Sequence, residues 1–310
     1  MGTPAFAVPA LRAVSAACNV VHVVTQPDRP RGRGQHTSES AVAVAAGELG
    51  LPLLRTADLN APAVREALAA LHADVFAVVA FGAILTPALL ALPRAGCVNL
   101  HGSLLPDYRG AAPVQRALWD DRTETGVCTL FMDEGIDTGD VIRCARSEVR
   151  EDDDAASLAA RLAELGAPLL ADSVCLAAEG RAPRTPQDRA AGSYAKKLRK
   201  EDGVVDWALP ARTVWAHARA VTPWPGAATA FRGKRLQILK SRPEASSVAA
   251  SPGTLLRNDH EGIRVACADG VLLVTRLKPE GRAELDAAEW ARGARPQPDE
   301  RFEELWESTT

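Results

Sequence analysis

Asn99 and His101 close a short apolar run, Cys97-Val98-Asn99-Leu100-His101, which gives way abruptly to Gly102-Ser103-Leu104-Leu105-Pro106-Asp107-Tyr108-Arg109-Gly110-Ala111-Ala112-Pro113. Alternate side chains of a strand share a face, so the amide and the imidazole emerge together where the strand ends. A third group, Asp137, lies in the polar loop Asp133-Glu134-Gly135-Ile136-Asp137-Thr138-Gly139-Asp140. An amide donor and an imidazole can hold a developing oxyanion, and a carboxylate can orient or charge the imidazole. That is equipment for acyl or formyl transfer through a tetrahedral intermediate. Taken singly, His101 reads more readily as a hydrogen-bonded strand-end histidine, and Asp137 as turn chemistry. Residue types alone therefore give a candidate site. No G-x-S-x-G elbow is present, which argues against a serine hydrolase. Gly32-Arg33-Gly34 follows a strand but lacks the third glycine and helix start of a dinucleotide fingerprint.

The elements that must position these residues alternate. A helix is predicted to about Ala17, a buried strand over Val20–Val24, a helix from Glu39 to Leu49 and a short strand at Leu51–Leu54. A helix from Val64 to His72 follows Pro62, then the buried strand Asp74–Ala80, a brief helix at Thr86–Ala91 and the strand at Cys97. This is the pattern of a doubly wound, mostly parallel sheet, in which ligands sit beyond the carboxyl ends of strands. After a helix from Pro113 to Asp120, a strand pair is expected at Val127–Met132 and Val141–Ala145. A helix over Ala155–Ala178, broken near Gly166-Ala167-Pro168, closes the domain. The spacing predicts a first domain over 1–182, a Pro- and Arg-rich linker over 183–202, and a small C-terminal β-barrel or sandwich over 203–310. The barrel's expected elements are a helix at Ala211–Ala220 and short strands near 235–239, 253–256, 263–266 and 271–277.

The totals agree with a two-domain globular chain: 310 residues, 47% apolar and 24% charged, against roughly 100–200 residues per domain. A net charge of −3 argues against a globally basic nucleic-acid binder but not against a local basic surface. No apolar run is long enough to span a bilayer and no basic-then-apolar leader opens the chain, so the cytoplasm is the expected compartment. The six cysteines are expected to be buried thiols, with neither a disulfide nor a zinc site, and no metal is expected.

The run Asn99-x-His101-Gly102-Ser103-Leu104-Leu105-Pro106, followed by Arg109-Gly110-Ala111-Ala112-Pro113 and later Asp137-Thr138-Gly139, resembles the folate-dependent formyltransferases. Within them the closer likeness is to the branch acting on methionyl-tRNA. It rests on Gly2-Thr3-Pro4-x-Phe6-Ala7-Val8-Pro9, Thr25-Gln26-Pro27-Asp28-Arg29-Pro30-x-Gly32-Arg33-Gly34, Trp224-Pro225-Gly226 and Asp269-Gly270 leading to Lys278-Pro279-Glu280-Gly281. The resemblance implies a Rossmann-like catalytic fold and a C-terminal OB-like barrel that binds tRNA. The implied reaction moves the formyl group of 10-formyltetrahydrofolate to the α-amine of initiator methionyl-tRNA. Asn99 and protonated His101 would stabilise the oxyanion, and Asp137 would hold His101 and take the amine proton.

By the same resemblance the folate would lie along Ser103, Leu104, Leu105 and Pro106, with its pterin near Phe81, Gly82, Ile84 and Leu85. The tRNA would meet Arg29, Arg31 and Arg33, helped by Lys196 and Lys197. The protein would act as a monomer. Two departures stand out. Gln35-His36-Thr37-Ser38-Glu39 follows Gly34 where many relatives carry lysines and prolines, which weakens the electrostatic clamp. Relatives also carry an apolar strand before Gly-Thr-Pro, so the sheet is expected to lack its first strand and Met1 to be an internal methionine. The competing readings are a formyltransferase for a sugar nucleotide or other small amine, a hydrolase releasing formate, and an inactive RNA-binding relative.

Overall fold

A computed structural model describes residues 1–31, 36–246, 249–297 and 299–305. They form two compact units. The first comprises Met1–Pro113, Glu124–Glu148 and Leu158–Lys196, and the second Val114–Thr123, Val149–Ser157 and Lys197–Thr310.

The chain opens with α1 (Val8–Ala17), β1 (Val23–Thr25), the hairpin β2 (Arg29–Arg31) and β3 (His36–Ser38), α2 (Ala41–Glu48), β4 (Leu53–Arg55) and α3 (Pro62–Ala70). It continues through β5 (Phe76–Val78), α4 (Pro87–Leu90), β6 (Cys97–His101), β7 (Arg109–Gly110) and α5 (Pro113–Trp119). Then come β8 (Glu124–Phe131), β9 (Val141–Glu148), α6 (Ala155–Ala178) and β10 (Tyr194–Ala195). Proline in the first turn starts α1, α3 and α4, where its missing N–H costs nothing. Ser40 caps α2, its Oγ accepting from Ala43 N at 3.0 Å.

The first unit's sheet is assembled from two ladders. β1 pairs with β4 in parallel. β5 pairs with β6 in parallel, and β6, β8 and β9 continue antiparallel. Among the described residues, only Met1 and Gly2 bridge the two ladders. Gly2 N donates to Val24 O at 3.0 Å, and Val79 N donates to Met1 O at 2.9 Å. The Met1 amine donates to Ala77 O at 2.6 Å. Ahead of them the edges flank a cavity of about 290 Å³ lined by Val14, Val23, Leu68, Phe76, Leu170 and Val174, among others. Among the described residues the sheet thus lacks a strand at the expected place. That accounts for two differences from expectation: β1 begins at Val23 rather than Val20, and β5 at Phe76 rather than Asp74. Val20, Val21, His22, Asp74 and Val75 line the cavity instead of pairing.

Helix α6 corrects another expectation, since it runs unbroken through Pro168. Gly166 lies so close to Leu100 of β6 that a Cβ there would come within 2.7 Å of Leu100 Cδ2. Leu158, Leu162 and Leu170 are fully buried. Burial of one continuous apolar face outweighs the hydrogen bond that proline removes.

In the second unit, α7 (Ala211–Ala220) is followed by β11 (Ala227–Phe231), β12 (Lys234–Glu244), β13 (Leu255–Asn258), β14 (Ile263–Ala266), β15 (Val271–Pro279), β16 (Leu285–Asp286) and α8 (Ala287–Ala294). The antiparallel order is β11-β12-β15-β14-β13, with β16 on β15. Residues 300–303 tie its two ends together. Ala230 and Glu303 exchange backbone bonds at 2.9 Å, while Leu255 N donates to Glu300 O and Phe302 N to Gly253 O, each at 2.8 Å. That closes a small barrel around Trp207, Phe231, Leu272 and Phe302. β11 is absent from the expected strands because three of its five residues are alanine.

Burial pushes the Met1 ammonium, in the chain as it stands, down from 8.0 to about 6. The folded state then resists protonation while the unfolded state accepts it, so stability is expected to rise as pH increases from about 6 to 8. Extending the chain ahead of Met1 by five valine- and isoleucine-rich residues is expected to remove that dependence and to raise Tm by about 4–8 °C. Thermal melts at pH 6 and 8 check both outcomes.

Candidate functional site

Strand β6 carries Asn99 and His101 to its carboxyl end, as its alternation requires. The 133–140 loop brings Asp137 to meet them. Asn99 Nδ2 donates to Asp137 Oδ1 at 3.2 Å, and His101 Nδ1 lies 3.5 Å from Asp137 Oδ2. The second carboxylate oxygen also accepts the backbone N–H of Gly110 at 2.8 Å. His101 Nε2 faces Tyr108 O at 2.8 Å. A carbonyl only accepts, so Nε2 carries a proton, and both ring nitrogens face acceptors. The 3.5 Å separation from Asp137 exceeds the 2.7–2.9 Å of a charge-assisted bond. Only in the protonated ring does Nδ1 also carry a hydrogen, and there a substrate oxygen can compete with Asp137 for it.

The loop is built to hold Asp137 in a conformation that few residues adopt. Its φ is +55°, in the left-handed region that aspartate tolerates better than most. Asp133 staples the turn by accepting from Gly135 N at 3.0 Å and from Thr138 Oγ1 at 2.7 Å. Gly139 passes so close to Phe131 that an added Cβ would sit 1.8 Å from its carbonyl oxygen. Gly110 is similarly fixed, with φ +107° and a Cβ position 2.8 Å from Ala195 O.

The stretch expected to meet the folate, 103–106, is divided in character. Ser103 is fully buried, and its hydroxyl donates to Asp107 O at 2.6 Å, so it shapes the loop. Leu104 packs over Gly126, and Leu105 N faces Cys128 Sγ at 3.4 Å. Around the expected pterin position, Phe81 and Leu85 turn into the core with Val24, Leu59, Phe76 and Leu89. Gly82 and Ile84 are exposed, Ile84 at 70%. Gln26 Nε2 donates to Phe81 O at 2.9 Å, and Asn60 Nδ2 to Ile84 O at 3.0 Å, pinning this loop from two sides.

Of the expected tRNA contacts, Arg29 and Arg31 lie on β2, paired antiparallel with β3. Arg33 lies outside the described residues. Lys196 and Lys197 are exposed where the two units divide. Among the described residues no group of three or more His, Cys, Asp or Glu side chains could hold a metal.

The stretch expected as a linker, 183–202, is hydrogen-bonded along its first half. Thr185 and Val141 exchange backbone bonds at 2.9 and 3.0 Å, Tyr108 N donates to Ser193 Oγ at 3.0 Å, and β10 pairs in parallel with β7. Gln187 and the buried Arg109 join this clasp. Gln187 did not stand out in the sequence, and Arg109 did so only as part of the Arg109-Gly110-Ala111-Ala112-Pro113 run. Cys128 and Cys144 form a disulfide across β8 and β9, which corrects the expectation of free thiols. The two stand directly opposite one another in the hairpin, a register that spacing alone does not disclose. Thiol titration of the denatured, unreduced protein is expected to find the four free cysteines, Cys18, Cys97, Cys175 and Cys267, and two more after reduction. Six before reduction would contradict the bridge.

A strand-end amide, imidazole and carboxylate on a doubly wound sheet, joined to a small antiparallel barrel, define a group-transfer enzyme. The formyl transferase family model matches residues 5–174, and the model of its C-terminal domain matches 197–295. The chain belongs to the formyl transferase family. It is 42% identical over 299 residues to a protein of Citrifermentans bemidjiense named methionyl-tRNA formyltransferase, covering 96% of this chain and 93% of that one. A protein of the same name from Xylella fastidiosa is 43% identical over 295 residues, covering 95% and 96%. Among solved structures, the N-formyltransferase of Helicobacter canadensis, in complex with folinic acid and dTDP-3-aminofucose, matches with TM-score 0.66 at 16% identity over 88% of this chain and 96% of that chain. HypX from Aquifex aeolicus matches with TM-score 0.61 at 19% identity, over 90% of this chain and about half (48%) of the other.

Proposed function

We propose that this protein transfers the formyl group of 10-formyltetrahydrofolate to the α-amine of methionine esterified to initiator tRNA. The observation that carries the chemistry is the convergence of Asn99, His101 and Asp137, with Asp137 contacting both partners. The likeness at about 40% identity along nearly the whole chain supports methionyl-tRNA as the acceptor. A sugar nucleotide is disfavoured because the structures whose names carry such a ligand share the fold at far lower identity.

In this reading the amine attacks the formyl carbon and the carbonyl oxygen becomes an oxyanion. The free hydrogen on Asn99 Nδ2 and the His101 Nδ1–H donate to it. Asp137 accepts the proton released by the attacking nitrogen and passes it to N10 as the oxyanion re-forms its C=O and the bond between the formyl carbon and N10 breaks, which frees tetrahydrofolate. Its two anchors, Asn99 and Gly110, leave lone pairs on both carboxylate oxygens for that task. The folate lies along 103–106 and meets the exposed Gly82 and Ile84, with Phe81 and Leu85 supporting that loop from beneath. Arg29, Arg31 and Arg33 supply guanidinium contacts to tRNA phosphate, with Lys196 and Lys197 adding charge. A role in translation initiation places the protein in the cytoplasm.

The deciding assay supplies 10-formyltetrahydrofolate and charged initiator tRNA, with sugar amines and formate release as controls. His101→Ala and Asn99→Ala are each expected to lose about 10²–10³ in kcat while remaining folded, the usual cost of one oxyanion donor. Arg33→Ala is expected to raise KM for tRNA and leave that for folate unchanged. Formyl transfer to a sugar amine in preference to tRNA, or a His101→Ala enzyme at wild-type turnover, would overturn the reading.

A further inference from the structure

We propose that Gln187 is a positioning residue for this reaction, acting through the Asp137 carboxylate. The inference rests on the reading of Asp137 as proton acceptor. Gln187 Nε2 donates to Asp137 O at 2.9 Å and to Gly139 O at 2.7 Å, so both amide hydrogens are spent on the loop. Its Oε1 accepts from Arg109 Nη2 at 2.9 Å and Nε at 3.2 Å. The amide's orientation is fixed by these partners. Reversed, it would set an oxygen against two carbonyls and an NH₂ group against a guanidinium.

Arg109 is itself buried and anchored, with Nη2 donating to Asp188 O at 3.0 Å and Nη1 to Ala191 O at 3.2 Å. The next residue is Gly110, whose N–H holds Asp137 Oδ2 at 2.8 Å. One side-chain amide therefore joins the two backbone segments that decide where the carboxylate sits. It grips the strained carbonyl of Asp137 on one side, and on the other it fixes the segment that donates to that residue's carboxylate. Gln187 touches none of Asn99, His101 or the Asp137 carboxylate through any contact described. Its effect has to pass through the placement of the loop.

Gln187→Met keeps the length of the side chain and removes all four bonds. Misplacing a reacting group by about 1 Å costs on the order of 10²-fold, so this variant is expected to lose roughly 10–100-fold in kcat, with KM for both substrates unchanged. The distinguishing measurement is a double-mutant cycle with Asp137→Asn, read as single-turnover rates. A residue that acts only through the Asp137 carboxylate has little left to lose once that carboxylate is gone, so Gln187→Met is expected to cost less than about twofold in the Asp137→Asn background. Gln187→Glu, which retains the Arg109 contact and loses the two donors, is the second variant should the first fail to fold.

Additive losses, equal in both backgrounds, would overturn the proposal, as would wild-type kcat in Gln187→Met or Gln187→Glu. Wild-type turnover in Asp137→Asn itself would instead overturn the reading of the reaction, so the two failures are distinguishable.

Discussion

The arrangement depends on one half-buried contact, the Asp137 carboxylate held between Asn99 Nδ2 and Gly110 N beside His101. His101 is 5% exposed and the Asp137 side chain 15%, so water competes weakly for either group. Charge-assisted bonds are worth more there than at the surface. The other features of the first unit serve this contact. β6 supplies two of the partners, the 109–110 segment supplies the third, and the stapled 133–140 loop accepts backbone strain to deliver the carboxylate.

The same unit is weakest on its other side. The ladder that carries the site, β5-β6-β8-β9, meets the β1-β4 ladder through two residues and a cavity. Apolar side chains line that gap, and the amine at its mouth is driven well below its ordinary pKa. β6 itself is paired on both edges, with β5 and β8. The strand of Asn99 and His101 is therefore one removed from the gap, so their geometry with Asp137 is kept beside a poorly filled interior.

Much of this was legible in the sequence because it is local. Alternation in Cys97–His101 placed Asn99 and His101 on one face, and the acidic loop offered Asp137. The doubly wound, mostly parallel sheet followed from buried strands alternating with helices, whereas the missing first strand was expected only from the resemblance to relatives. What escaped depends on tertiary pairing. Gln187 meets Asp137 from 50 residues away inside a Pro- and Arg-rich stretch without periodicity. Cys128 and Cys144 become partners only when a hairpin register is set. The packing of Phe81 and Leu85 in the core is likewise set by tertiary contacts. Pro168 reads as a breaker until the burial of its helix face is counted.

The central claim is that the Asp137 carboxylate, held where it is, receives the proton of the attacking amine. Asp137→Asn preserves the side chain's shape and an acceptor for Asn99 while removing the base. Single-turnover formylation of charged initiator tRNA at saturating 10-formyltetrahydrofolate, compared between wild type and this variant, tests the claim most directly. The account predicts a loss of at least about 10²-fold in the transfer step, the typical share of a general base, with tRNA and folate binding unchanged. An Asp137→Asn protein that formylates at the wild-type rate would contradict it.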